Sequence, residues 1–182
     1  MNLVLTDISQ KHAAEFRSWI ADKQAVKYTL SIFLPHRDEQ WVRLYISSLL
    51  EDNTTWNQAI IVDNSVIGYC GLSNLSEENR SGEYFIIIGN RNYWNCGFGT
   101  LAGQKVLKYG FSVLGLHRIW LTVSEVNQGA IRSYDKLGFT EEGRMKEACF
   151  RDGTFHDKVV MSIIEEQWHN NTNAAEARSS RR

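Results

Sequence analysis

Residues 83–100, EYFIIIGNRNYWNCGFGT, constrain the fold more than any other stretch of the chain. An apolar, β-branched run breaks into a polar loop. That loop ends in Gly97-Phe98-Gly99-Thr100, where a long helical pattern begins. A helix opening on glycines leaves its first N–H groups unpaired, so strand, loop and helix in this order make an anion site at the end of a sheet strand. The segment therefore points to a phosphorylated ligand. A Walker-type loop does not fit, because no Gly-Lys-Ser/Thr follows the glycines. Gly97-x-Gly99-x-x-Ala102, with Glu125 downstream, matches a loose dinucleotide fingerprint. Seven residues, Asn90 to Cys96, nevertheless separate Gly89 from Gly97, whereas a dinucleotide loop turns almost directly from strand to helix. Taken alone, the loop also reads as a tight turn without a ligand.

The flanking pattern supplies the sheet. Residues 2–8 read as a strand, and Ser9 as the N-cap of a helix through Ile20 with Ala13, Phe16 and Ile20 on one face. Residues 24–37 form a loop that holds the only proline, Pro35. Asp38 caps a second helix whose apolar face runs Trp41, Leu44, Tyr45, Leu49. Strands at 56–63 and 66–73 flank an Asn64-Ser65 turn, and a polar turn at 74–82 leads to a strand at 83–89. Helix 98–114 points Leu101, Val106, Leu107 and Phe111 inward. A strand at 117–123, a helix at 128–137 closed by Gly138, a short extended piece at 139–142 and a strand near 155–164 complete the pattern. Strands precede and follow helices throughout, so the class is α/β or α+β with one central mixed sheet. One domain spans residues 1–168. Residues 169–182 lose the apolar pattern and are expected to be a disordered tail.

Several function classes are disfavoured. A net charge of −1 gives no electrostatic drive toward nucleic acid or an anionic membrane surface. No stretch approaches the ~20 apolar residues of a membrane span, and residues 1–20 lack a secretory pattern. Cys70, Cys96 and Cys149 are too far apart for a metal motif, and read as reduced thiols of a cytoplasmic protein.

The segment Glu125-Val126-Asn127-Gln128-Gly129-Ala130-Ile131-Arg132-Ser133-Tyr134-Asp135-Lys136-Leu137-Gly138-Phe139 resembles the E-N-x-x-A-I-x-x-Y-x-K-x-G-F signature of the GNAT superfamily of N-acetyltransferases. Trp94-Asn95-Cys96-Gly97-Phe98-Gly99-Thr100 resembles its Q/R-x-x-G-x-G/A pyrophosphate loop. Glu142-Gly143-Arg144 and Phe150-Arg151-Asp152-Gly153 are similar to the branch holding ribosomal-protein N-terminal, spermidine and amino-sugar acetyltransferases. Two departures stand out: Trp94 occupies the usual Gln/Arg position, and Asn95 one where Gly is common. The resemblance implies a GNAT fold of the α+β (α/β three-layer) class, a central mixed, mostly antiparallel sheet flanked by about four helices.

It also implies acetyl-CoA as co-substrate, with no metal, and direct transfer to a primary amine in a ternary complex. Backbone N–H groups of Asn95, Cys96, Gly97, Phe98, Gly99 and Thr100 would hold the pyrophosphate, and the pantetheine arm would pair with Ile86, Ile87 and Ile88. Asn127 matches a cofactor-contacting residue and equally fits a helix N-cap. Tyr134 matches the tyrosine that protonates the departing thiolate. For removing the amine proton, Glu83 is the first candidate and Glu125 the second, with His117 and His156 behind them. Neither Cys96 nor Cys149 has an evident basic partner to make it a nucleophile. The acceptor is expected to touch the first two helices, residues 24–37 and the loop after residue 143. A small-molecule amine, either an amino sugar or polyamine-like, fits first. Residues 24–37 carry Lys27 and Arg37 but no carboxylate, which counts against a polycation, while Tyr28, Phe33 and Trp41 suit a sugar or apolar amine. A protein N-terminus and a non-catalytic acetyl-CoA-binding domain stay open, as does assembly into a homo-oligomer.

Overall fold

A computed structural model of the chain describes residues 2–29 and 38–179. Seven strands form one sheet in the order β1-β2-β3-β4-β5-β7-β6. They are β1 (Leu3–Asp7), β2 (Trp56–Val62), β3 (Ser65–Ser76), β4 (Ser81–Ile88), β5 (Arg118–Ser124), β6 (Thr140–Arg151) and β7 (Thr154–Ile164). Among the described residues every strand pair is antiparallel except β4–β5. Helices α1 (Ala13–Ala21) and α2 (Glu39–Glu51) pack on one face, and α3 (Phe98–Ser112) and α4 (Gln128–Leu137) on the other. The three-layer α+β class is borne out.

Local chemistry explains most boundaries. Asp63 and Asn64 both take positive φ, 46° and 68°, so the β2–β3 hairpin turns on Asp63-Asn64, one residue earlier than expected. Such a pair matches the twist of the flanking strands. Asp38 caps α2, its carboxylate accepting from the Trp41 N–H at 2.8 Å. The residue after Ser9 begins a single 3-10 turn, Gln10–His12, before α1 starts.

Three expectations are corrected. The buried residues of α2 are Val42 and Ile46, while Leu44 is 63% exposed. Trp41, Tyr45 and Leu49 only flank that core. In α3, Leu101 likewise faces outward while Val106, Leu107 and Phe111 are buried. The short piece at 139–142 is the start of β6, a long edge strand. Both its faces are largely exposed, so burial imposes no apolar alternation on it, and two register shifts interrupt its pairing with β7.

Residues 165–179, most of the expected tail included, form helix α5 (Glu165–Ser179). Trp168 anchors its first turns by stacking on Phe111 at 5.3 Å. A sequence search for an apolar stripe misses a helix held by one ring.

The α2 register gives a direct test. Ile46→Ala should cost about 3 kcal/mol and lower Tm by roughly 6–12 °C, because Ile46 is fully buried. Leu44→Ala should stay within about 0.5 kcal/mol. Equal thermal shifts for the two variants would show the helix rotated from the position described.

Candidate functional site

β4 and β5 begin as a pair and then part. Their parallel register covers Ser81–Glu83 against Arg118–Trp120 and goes no further. β4 continues to Ile88 paired only with β3, and β5 to Ser124 paired only with β7. Beyond Glu83 the two strands thus present unpaired main-chain edges across a split in the sheet. Successive residues of a strand turn their N–H and C=O groups to opposite sides. The Ile87 carbonyl faces β3, since a Cβ added to Gly68 would lie 2.0 Å from it. Ile86 and Ile88 consequently turn theirs toward the split, as does Tyr84. Of the three isoleucines expected at this edge, Ile86 and Ile88 offer hydrogen bonds there and Ile87 does not. Buried main-chain groups require partners, so the split is shaped to accept an extended ligand as an added strand.

The helix that follows opens at the end of β4. Gly97 is the N-cap of α3 at φ 83°, and the first helical bond is Leu101 N–H to the Gly97 carbonyl at 3.1 Å. The N–H groups of Phe98, Gly99 and Thr100 are therefore free of intrahelical partners, at the positive end of the helix dipole. Asn95 is also left-handed, at φ 59°. Asparagine is among the few residues besides glycine that tolerate this conformation, which accounts for its standing where Gly is common. Cys96 is exposed, and its thiol donates to the Trp94 carbonyl at 3.4 Å. Trp94 does not lie loose on the surface. Its indole N–H donates to the Ile88 carbonyl at 2.7 Å, while the residue remains 39% exposed.

Tyr134 lies on α4, on the α3/α4 side of the split. Its ring meets Tyr84 edge-on at 5.9 Å and Phe139 at 6.0 Å. Burial pushes its hydroxyl up to about 12, so it keeps its proton across the physiological range. The Tyr84 hydroxyl is buried without a partner. Glu83 precedes Tyr84 and so points to the opposite face of the sheet. Its carboxylate accepts from Asn74 Nδ2 at 2.6 Å. The two residues expected to carry proton transfers thus lie on opposite faces, at the point where the strands part.

Asn127 caps α4, its side-chain oxygen accepting from the Ala130 N–H at 3.3 Å. Thr100 Oγ1 lies 2.9 Å from Ser133 Oγ and ties α3 to α4. Glu125 is engaged elsewhere: it accepts from the Asp157 N–H at 3.1 Å and pairs with Arg144 at 3.3 Å. His156 faces the other oxygen of that salt-bridged carboxylate at 3.8 Å. His117 is exposed. Cys149 is buried, its thiol 3.3 Å from Ser124 Oγ.

The expected acceptor segments are brought together. Lys27 pairs with Asp152 at 2.7 Å, and Arg151 donates to the Thr29 carbonyl at 2.9 Å, so the β6–β7 turn touches the segment after α1. Residues 30–37, with Phe33, Pro35 and Arg37, lie outside the described residues. The sequence did not show that Glu142 is engaged across β5 and β7, its carboxylate accepting from Arg118 at 2.6 Å and from Ser162 at 2.7 Å. Those bonds hold its pKa down, at about 2. Among the described residues no group of three potential ligands is placed to hold a metal, and no helix is long and apolar enough to cross a membrane.

Known proteins share this fold. The acetyltransferase (GNAT) domain profile matches residues 2–140. The spermidine N(1)-acetyltransferase of Vibrio cholerae is 36% identical over 66 residues, which is 36% of this chain and 38% of that protein. The corresponding protein of Escherichia coli K12 is 37% identical over 62 residues, 34% of this chain and 33% of that one. The matched stretch spans about a third of the length of these relatives. A solved structure of the Vibrio cholerae spermidine N-acetyltransferase, in complex with CoA and spermine, superposes with a TM-score of 0.83 at 24% identity. It covers 91% of this chain and 97% of that chain, a likeness of fold. With its profile match covering most of the sequence, the chain belongs to the GNAT acetyltransferase family.

Proposed function

We propose that the protein transfers the acetyl group of acetyl-CoA to a primary amine of a small, polyamine-like molecule, by direct attack in a ternary complex. The split between β4 and β5, with free helix N–H groups at its mouth, is the observation that carries this reading. An unpaired strand edge leading to a helix N-terminus suits an extended ligand that ends in a phosphate, which is the chemistry of a pantetheine arm leading to a pyrophosphate. Acetyl-CoA held there supplies a thioester. Ile86 and Ile88 would pair with the arm, the N–H groups of Asn95 to Thr100 would hold the phosphates, and the Asn127 side-chain amide would add a donor. Tyr134 would protonate the sulfur as the C–S bond breaks. Glu83, on the other face, would take the amine proton directly or through water.

A thioester lying in the split is the one place from which both faces of the sheet are reached, which suits an acid and a base held apart by the strands. The family and the named activities of its relatives favour a polyamine, even though residues 24–37 carry no carboxylate. Release of CoA thiol from acetyl-CoA, measured across spermidine, spermine, amino sugars and peptide N-termini, tests the reading. Turnover should be fastest with a polyamine, with one acetyl added to its mass. Turnover on peptides alone would move the acceptor to protein N-termini. CoA binding without turnover on any amine would leave a binding domain.

A further inference from the structure

Among the described residues of the loop after β4, Trp94 is the one whose side chain hydrogen-bonds back to β4, and the proposed function gives it no task. Its indole N–H donates to the carbonyl of Ile88, the last residue of β4. Only Asn95 and Cys96 then separate it from Gly97, the N-cap of α3. Asn95 and Gly97 are both left-handed, so this short connection is folded tightly and its amide directions depend on where Trp94 is held. Upstream, Arg91 is fixed to Asp22 at the end of α1 by a 2.6 Å contact. Tyr93 packs on Phe98 in the first turn of α3. Among these contacts, the Trp94–Ile88 bond alone joins the loop to the edge that faces the split.

We infer that Trp94 is a positioning residue that sets the span between the pantetheine-pairing edge of β4 and the phosphate-binding N–H groups of residues 95–100. The inference rests on the reading of the split as an acyl-CoA site. By occupying the Ile88 carbonyl, the indole also ends the row of groups open to an added strand, leaving the Ile86 N–H and C=O and the Ile88 N–H. The arm is thereby registered, and the phosphates beyond it meet the helix N-terminus at a fixed distance. A ligand spanning both parts depends on this tether. A ligand confined to the strand edge does not.

Trp94→Phe keeps an aromatic ring and removes the N–H. Titration calorimetry with CoA should show about a tenfold loss of affinity, the weight of one well-formed hydrogen bond on a preorganised loop. Pantetheine, which lacks the phosphates, should bind both proteins alike when followed by NMR. In the ligand-free variant, amide hydrogen exchange at residues 95–100 should quicken while the rest of the sheet keeps its protection. Wild-type CoA affinity in the variant, or an equal loss for CoA and pantetheine, would overturn the inference. A wild-type protein that binds no CoA would instead overturn the acyl-CoA reading beneath it. The exchange measurement in the free protein separates that failure from the absence of a tether.

Discussion

Tyr134→Phe is expected to lower kcat for acetyl transfer by about 10²–10³-fold, the usual weight of a general acid, while the KM for acetyl-CoA changes little. The hydroxyl makes no hydrogen bond among the described residues, whereas the ring is clasped by Tyr84 and Phe139. Phenylalanine keeps the ring contacts, so the loss would report on the proton alone. Burial holds the Tyr134 pKa at about 12, well above a thiol near ~8.5, so proton transfer is uphill even to the fully departed thiolate and is drawn forward by loss of the product thiol and reprotonation of the phenolate. Tyr134 stays protonated from neutral pH to about pH 11, and kcat should show no descending alkaline limb from it below that point. Steady-state kinetics of the variant with the best amine checks both statements. A rate equal to wild type would remove Tyr134 from the chemistry.

The same shift has a consequence for stability. A folded-state pKa raised from the ordinary value near ~10 stabilises the fold fully below that value, and the contribution is lost as pH rises through the folded value. Tyr69 and Tyr84 are shifted the same way by burial. Alkali therefore weakens the fold through several buried phenols at once. Removing the Tyr134 hydroxyl should make the variant melt higher, relative to wild type, near pH 11 than near pH 8.

Gly68→Ala is expected to be among the most damaging small substitutions in the sheet. An added Cβ would lie 2.0 Å from the Ile87 carbonyl and 3.0 Å from Ile88 Cα, both main-chain atoms of β4. A side chain can rotate away from such contact, but a paired strand cannot, so the strands must separate. The cost is about 3 kcal/mol or more, a Tm lower by roughly 10 °C. Because the displaced segment is the one facing the split, CoA binding should fall with it. Gly143→Ala on β6 meets nothing within 4 Å and serves as the control. Comparable Tm losses in the two variants, by differential scanning calorimetry, would contradict the close approach of β3 to β4.

How much the sequence reveals depends on the range of the interactions involved. Gly97, Asn127 and Gly138 act within a few residues of themselves, as a positive-φ N-cap, a side-chain cap and a left-handed helix stop. Their spacing can be read directly. The inward face of α2 is a subtler matter: moving from Trp41 and Tyr45 to Val42 and Ile46 is a step of one residue, about 100° around a helix. Aromatic rings at the rim drew the stripe to the wrong side. β6 has no alternation to read because neither of its faces is enclosed. Glu83 and Tyr134 could be named from the resemblance, but their placement on opposite faces depends on strand parity at a divergence point with no local signature. The Trp94–Ile88 bond joins a side chain to a carbonyl, and carbonyls are invisible in a sequence. It could be found only by building the loop.

The divergence of β4 from β5 also divides the chain kinetically. On one side, β1 to β4 are linked through successive antiparallel pairs with α1 and α2 against them, and on the other β5, β6 and β7 form a second antiparallel group. The β2–β3, β3–β4 and β6–β7 hairpins can close within microseconds, whereas a parallel pair must await a crossover, here α3. Three residue pairs are all that the two groups share across the sheet. A molecule that binds in the split bridges two half-sheets, and its arrival would knit the folding units into a single cooperative one.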